Sequence, residues 1–144
     1  MFSREEGFSL VEIMIVITVI AVILSLLYNL QLVGNNLWTR ETNYLELQLD
    51  SIFFLKKINQ DLREAIDFSL SSDNSSLTLY LDDKEPIRYL FNKSVIYRNG
   101  QKIIDFVKLT PFKGSSGLLT INLFLKKGSE SYRVVDRISI RETF

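Results

Sequence analysis

The stretch Gly7-Phe8-Ser9-Leu10-Val11-Glu12-Ile13-Met14-Ile15-Val16-Ile17 decides how this chain is built. It sets one carboxylate, Glu12, at the head of an apolar block that runs on to Leu27, relieved only by Thr18 and Ser25. No charge follows Glu12 until Arg40. A helix needs roughly 20 apolar residues to cross a bilayer core, and this block supplies them. Upstream stands one basic side chain, Arg4, which by the positive-inside rule favours a cytoplasmic N-terminus and places the rest of the chain outside. A cleaved secretory signal fits poorly, because the apolar stretch is too long and its exit, Ser25-Leu26-Leu27-Tyr28-Asn29, lacks a small-x-small site. An ordinary anchor tolerates the length but does not predict a carboxylate within it, where an acidic group is costly unless it has a partner or snorkels to the interface.

Composition bounds the rest. With 144 residues and a hydrophobic fraction of 47%, the chain has room for one modest domain besides a membrane segment. Lys plus Arg and Asp plus Glu are 17 each, so no global charge excess selects a partner. Cysteine and histidine are both at 0, which removes thiol catalysis, imidazole bases, disulfides and nearly every structural zinc arrangement. No enzyme, cofactor or metal site is expected.

Beyond the membrane block the pattern turns amphipathic. Leu45, Leu49, Ile52, Leu55, Ile58, Leu62 and Ala65 or Ile66 recur at three- and four-residue steps, predicting one apolar stripe on a continuing helix. Gly34-Asn35-Asn36 is its weakest helical stretch, the place for a bend or a local melt if the helix has one. Residues 69–76, rich in Ser, end the helix; strands are predicted at 77–81, 87–91, 95–98, 103–109, 118–125 and 133–140. Asn99-Gly100 is the strongest hairpin signal, since both central residues of a type I′ turn need positive φ. The expected fold class is α+β: a long N-terminal transmembrane-plus-amphipathic helix packed on an antiparallel β-sheet.

The head of the helix resembles the type IV prepilin family: a short polar leader ending in glycine, here Gly7, then aromatic Phe8, then Ser9-Leu10-Val11, then Glu12 and an aliphatic run. The resemblance implies a pilin-like organisation with 1–7 as leader, 8–33 as transmembrane helix, 34–68 as its amphipathic continuation and 69–144 as an antiparallel β region. It implies cleavage between Gly7 and Phe8 by a prepilin peptidase, N-methylation of the Phe8 amine, and an assembly role for Glu12 opposite a neighbouring subunit's amine. Within one chain, Glu12 lies one helical turn from that amine, so an ion pair can form. Other pilins or minor pilins, the membrane and an inner-membrane assembly platform are the implied partners.

The proline that kinks many major pilins is missing, as is the cysteine-bounded loop; Pro86 and Pro111 come much later. The helix end 51–65 and the strands at 87–91 and 95–100 look like W-type minor pilins, J-type type II secretion pseudopilins and a competence pseudopilin. A minor subunit acting in filament initiation or at the tip is therefore expected, with a single-pass membrane-anchored binding module as the alternative.

Three further patterns bear on chemistry. Lys113-Gly114-Ser115-Ser116-Gly117 lacks the P-loop spacing and reads as a turn. Asp82, Asp83 and Glu85, with Asp73 and Asn74 near in sequence, offer oxygen ligands without an EF-hand spacing and read as solvated. Arg98, Lys102, Lys108, Lys113, Lys126, Lys127, Arg133, Arg137 and Arg141 make the C-terminal half locally basic, interleaved with aromatic residues. Strand alternation explains that run without DNA, and DNA is a partner only if alternation gathers the cations on one face.

Overall fold

Ser9 opens the helix. Its carbonyl accepts the amides of Glu12 at 2.9 Å and Ile13 at 3.2 Å, and helix α1 then runs Leu10–Glu64. A computed structural model of the chain describes residues 9–115 and 117–139. Gly7, Phe8, Arg4 and Arg141 lie outside the described residues. The helix passes through Gly34-Asn35-Asn36 uninterrupted, so the glycine's propensity cost of about 1 kcal/mol does not break it.

The chain divides into two compact units, Met1–Thr39 and Arg40–Phe144. In the first, every described side chain is exposed, including Ile13, Ile17, Ile20 and Leu24. Its polar groups are turned back onto the helix: the Thr18 hydroxyl donates to the Met14 carbonyl at 2.8 Å and the Asn29 amide to the Ser25 carbonyl at 3.0 Å. Such back-bonding lowers the cost of placing a hydroxyl or amide in hydrocarbon, where no water can satisfy it.

The second unit packs the remaining helix on two antiparallel sheets. One sheet has the order β1-β2-β3-β4-β5, with β1 Ala65–Leu70, β2 Ser76–Leu81, β3 Lys84–Asn92, β4 Val95–Arg98 and β5 Gln101–Ile104. The other has the order β6-β7-β8, with β6 Phe112–Ser115, β7 Leu118–Lys127 and β8 Glu130–Ser139. The α+β expectation stands, with two sheets in place of one. Strand β1 was missed because Ala65 and Ile66 extend the helical spacing; pairing of residues 65–70 with β2 overrides it and stops the helix at Glu64. Strand β6 falls where a turn was expected. Gly114 lies there because a Cβ would come within 2.6 Å of Leu70 Cδ1 and 3.2 Å of a Phe68 ring carbon, so this glycine serves sheet contact rather than phosphate binding.

The predicted stripe holds in its second half, where Ile58 and Leu62 are buried and Leu55 packs against the core, and shifts in its first half. Leu47, Ser51, Phe54, Ile58, Asp61 and Leu62 face the core, whereas Leu45, Leu49 and Ile52 are exposed, along with Phe53. Both rows have helical spacing, and the side that meets the sheets is chosen by the size and partners of Phe54 and Asp61. Phe54 packs edge-on against Tyr89 with ring centroids 6.1 Å apart, inside a core that includes Leu77, Leu79, Ile96, Ile121 and Leu123. Each such fully buried side chain contributes about 1.5–3 kcal/mol by leaving water.

Hairpin turns fix the registers. Asn99 and Gly100 both have positive φ, 47° and 82°, and join Arg98 to its partner Gln101 as the type I′ signal predicts. Lys93 and Ser94 make a second two-residue connection, between Asn92 and Val95, with φ of 45° and 74°. Pro86 is tolerated within β3 because β4 pairs only with residues 89–92, leaving the missing N–H without a ladder partner to supply. Left-handed backbone is costly for residues with a Cβ, so the double substitution K93N/S94G is expected to stabilise the second unit by about 1 kcal/mol. A rise in the denaturation midpoint at unchanged slope checks this.

Candidate processing and assembly site

Of the predicted site residues, Glu12 is described, and the structure gives it a role that the sequence reading missed. Its carboxylate accepts the Ser9 amide at 3.0 Å, reaching back one turn from the third position of the helix. Ser9 and Glu12 thus stand in the spacing of a capping box, Ser-x-x-Glu, a signature visible in the sequence ahead of the apolar run. The bond satisfies one of the four amides that every helix start leaves without an internal partner. Gly7 and Phe8, the predicted cleavage and methylation positions, lie outside the described residues.

The apolar helix below this cap is long enough to cross a membrane. Residues 2–28 match the family model described as the prokaryotic N-terminal methylation motif, which spans Gly7, Phe8 and Glu12 together. The chain is type IV prepilin-like. No curated protein and no solved structure matches it. The match implies processing of the prepilin-like chain by a prepilin peptidase and assembly with other pilins in a membrane, and the exposed apolar helix is consistent with membrane anchoring.

The second unit of the prepilin-like chain holds a buried ionic cluster that sequence reasoning did not single out. The Asp61 side chain is 6% exposed and accepts Arg98 Nε at 2.6 Å, Arg98 Nη2 at 3.1 Å and the Tyr89 hydroxyl at 2.5 Å. Lys57 stands 3.8 Å away, one turn earlier on the helix. The cluster ties α1 to β3 and β4 at one point. The bond to Asp61 raises the Arg98 guanidinium further above its ordinary value. Burial, and then the Asp61 carboxylate, push the Tyr89 hydroxyl well above the usual phenol range, so it remains a donor. In sequence, Asp61 reads as one more polar residue on a solvated face; only Arg98 and Tyr89, brought in by the hairpin, mark it as buried.

Two ion pairs and an amide hydrogen bond fasten the helix to the three-stranded sheet. Arg40 Nε meets Glu130 at 2.9 Å, Lys127 meets Glu46 at 2.5 Å, and the Asn59 amide donates to Asp136 at 2.9 Å. Tyr44 packs edge-on against Tyr132 with centroids 5.9 Å apart. The acidic residues near in sequence do not gather. Asp73 lies in the turn before β2, and Asp82 and Asp83 in the turn after it. Among the described residues no three metal-ligating side chains converge.

Two outcomes follow. Removing one partner of a buried pair strands the other, so Asp61→Asn is expected to cost about 3 kcal/mol, while replacing the whole cluster with D61L/R98M/Y89F recovers most of the loss. Chemical denaturation of the full chain in detergent measures both. Asp73 is held to about 2 by bonds from the Ser71 and Ser75 hydroxyls and the Ser75 amide. Its folded value is depressed, so its contribution is complete above the unfolded value of about 3.9 and is lost as pH falls through about 2. The Ser75 amide resonance should therefore titrate near pH 2 rather than near 4.

Proposed function

We propose that the chain is a minor pilin or pseudopilin subunit of a type IV filament system, whether type IV pilus, type II secretion or competence DNA uptake. The single observation carrying this reading is the methylation motif over residues 2–28 at the head of a membrane-length apolar helix. In this reading Arg4 holds the leader on the cytoplasmic side and the second unit lies outside. The peptidase cuts between Gly7 and Phe8, the Phe8 amine is methylated, and Glu12 meets such an amine on a neighbouring subunit. The part played by the chain is assembly rather than catalysis, at filament initiation or at the tip. The outward row of Leu45, Leu49, Ile52 and Phe53 supports the same reading, since it leaves an apolar helix face available to other subunits.

Processing is tested in cells that hold the peptidase. Mass spectrometry of the wild-type chain should find an N-methylated Phe8 terminus, and a Gly7→Val chain should stay at full length. A wild-type chain that keeps its leader would refute the reading and leave a plain membrane anchor. Glu12 has two separable duties, and Glu12→Gln divides them, because glutamine keeps the capping oxygen and loses the charge. The charge role requires that E12Q and E12L chains are both cut yet both missing from sheared filaments. Wild-type levels of E12Q in filaments would reduce Glu12 to a helix cap.

A further inference from the structure

Seven of the basic residues of the C-terminal half fall into two groups, by ion pairing and by sheet face. Arg98, Lys102 and Lys127 are consumed by Asp61, Asp105 and Glu46, and Lys127 also lies over the Phe106 ring at 5.1 Å. Lys113, Lys126, Arg133 and Arg137 instead point to the outer face of the β6-β7-β8 sheet, and all four are exposed. Registers place them relative to one another: Lys113 is opposite Thr120 and Thr120 opposite Arg137, Phe124 is opposite Arg133, and Lys126 is opposite Ser131. From the level of Lys126 to that of Arg137 is six residues of β8, roughly 20 Å at about 3.3 Å per residue. The remaining outward residues of β7 and β8 are Leu118, Thr120, Asn122, Phe124, Ser131, Val135 and Ser139, so among the described residues this face presents no carboxylate. Among the described residues none of the four cations has an ion-pair partner; Arg133 donates only to the neutral Asn122 oxygen at 3.1 Å.

We propose that this face binds the phosphate backbone of DNA. In a chain whose charges balance, four unpaired cations on one carboxylate-free face form a local positive field that a polyanion can enter without meeting repulsion. They form an elongated patch about 20 Å long, with Lys113 and Arg137 on the strands either side of Thr120 at one end and Lys126 at the other, and such a patch suits a repeating run of phosphates better than a single anionic headgroup. Phe124, opposite Arg133, lies on the same face. The contacts are to backbone only, so binding is independent of sequence.

The test uses the full chain in discs of neutral lipid with a fluorescent duplex of arbitrary sequence. Four neutralised phosphates give a log-log salt slope of about −3.6, so affinity should fall roughly 150-fold between 50 and 200 mM salt. R133Q/R137Q should halve the slope and reduce that fall to about 12-fold. K56Q/R63Q removes the same charge from the exposed side of the helix and should leave the slope unchanged. Far-ultraviolet circular dichroism of each variant confirms that the sheet is intact. Three results would each overturn the proposal: equal loss in K56Q/R63Q, competition by polyglutamate at the same charge concentration, or flotation of the discs with phosphatidylglycerol vesicles that DNA cannot displace. The second would assign the face to an acidic polypeptide and the third to a membrane surface.

Discussion

The second unit turns on one buried carboxylate. Asp61 is the charged side chain that α1 takes fully into the core, and it is acceptable there because three donors from β3 and β4 converge on it. Those donors cannot reach Asp61 unless the helix has the rotation that also buries Leu47, Phe54 and Ile58. The cluster therefore selects which of two apolar rows on the helix meets the sheets. Hydrophobic burial supplies most of the stabilisation, and the polar tie supplies the choice of face.

That division explains what could be read in the sequence. The long helix, its apolar first part, the α+β class and most strands were legible, because each rests on local periodicity or on a turn residue such as Gly100. The buried stripe was legible at Ile58 and Leu62 and not before them, since Leu45, Leu49 and Ile52 have a helical spacing as good as that of Leu47, Ser51 and Phe54 and nothing local tells them apart. Strand β1 was hidden for a related reason: Ala65 and Ile66 suit either a helix or a strand, and only the pairing with β2 decides. The Ser9–Glu12 cap was legible and was overlooked, because the glutamate already had another reading.

The basic run in the C-terminal half shows the reverse case. Its composition says only that cations are frequent; alternation and pairing decide their availability. Arg98, Lys102 and Lys127 become structural through their partners, whereas Lys113, Lys126, Arg133 and Arg137 lie together on one sheet face. The same residue type thus holds the fold where a carboxylate meets it and leaves a field where none does.

The Ser9–Glu12 cap has a consequence for the energetics of maturation. A cut after Gly7 would remove only residues upstream of the cap, so the mature helix would begin already nucleated. The new ammonium would then lie at the positive end of the helix macrodipole, where a cation is disfavoured. Glu12, as an anion in the first turn, offsets that repulsion within its own chain before any neighbour arrives. Leader removal would then cost the helix start less than it would without Glu12.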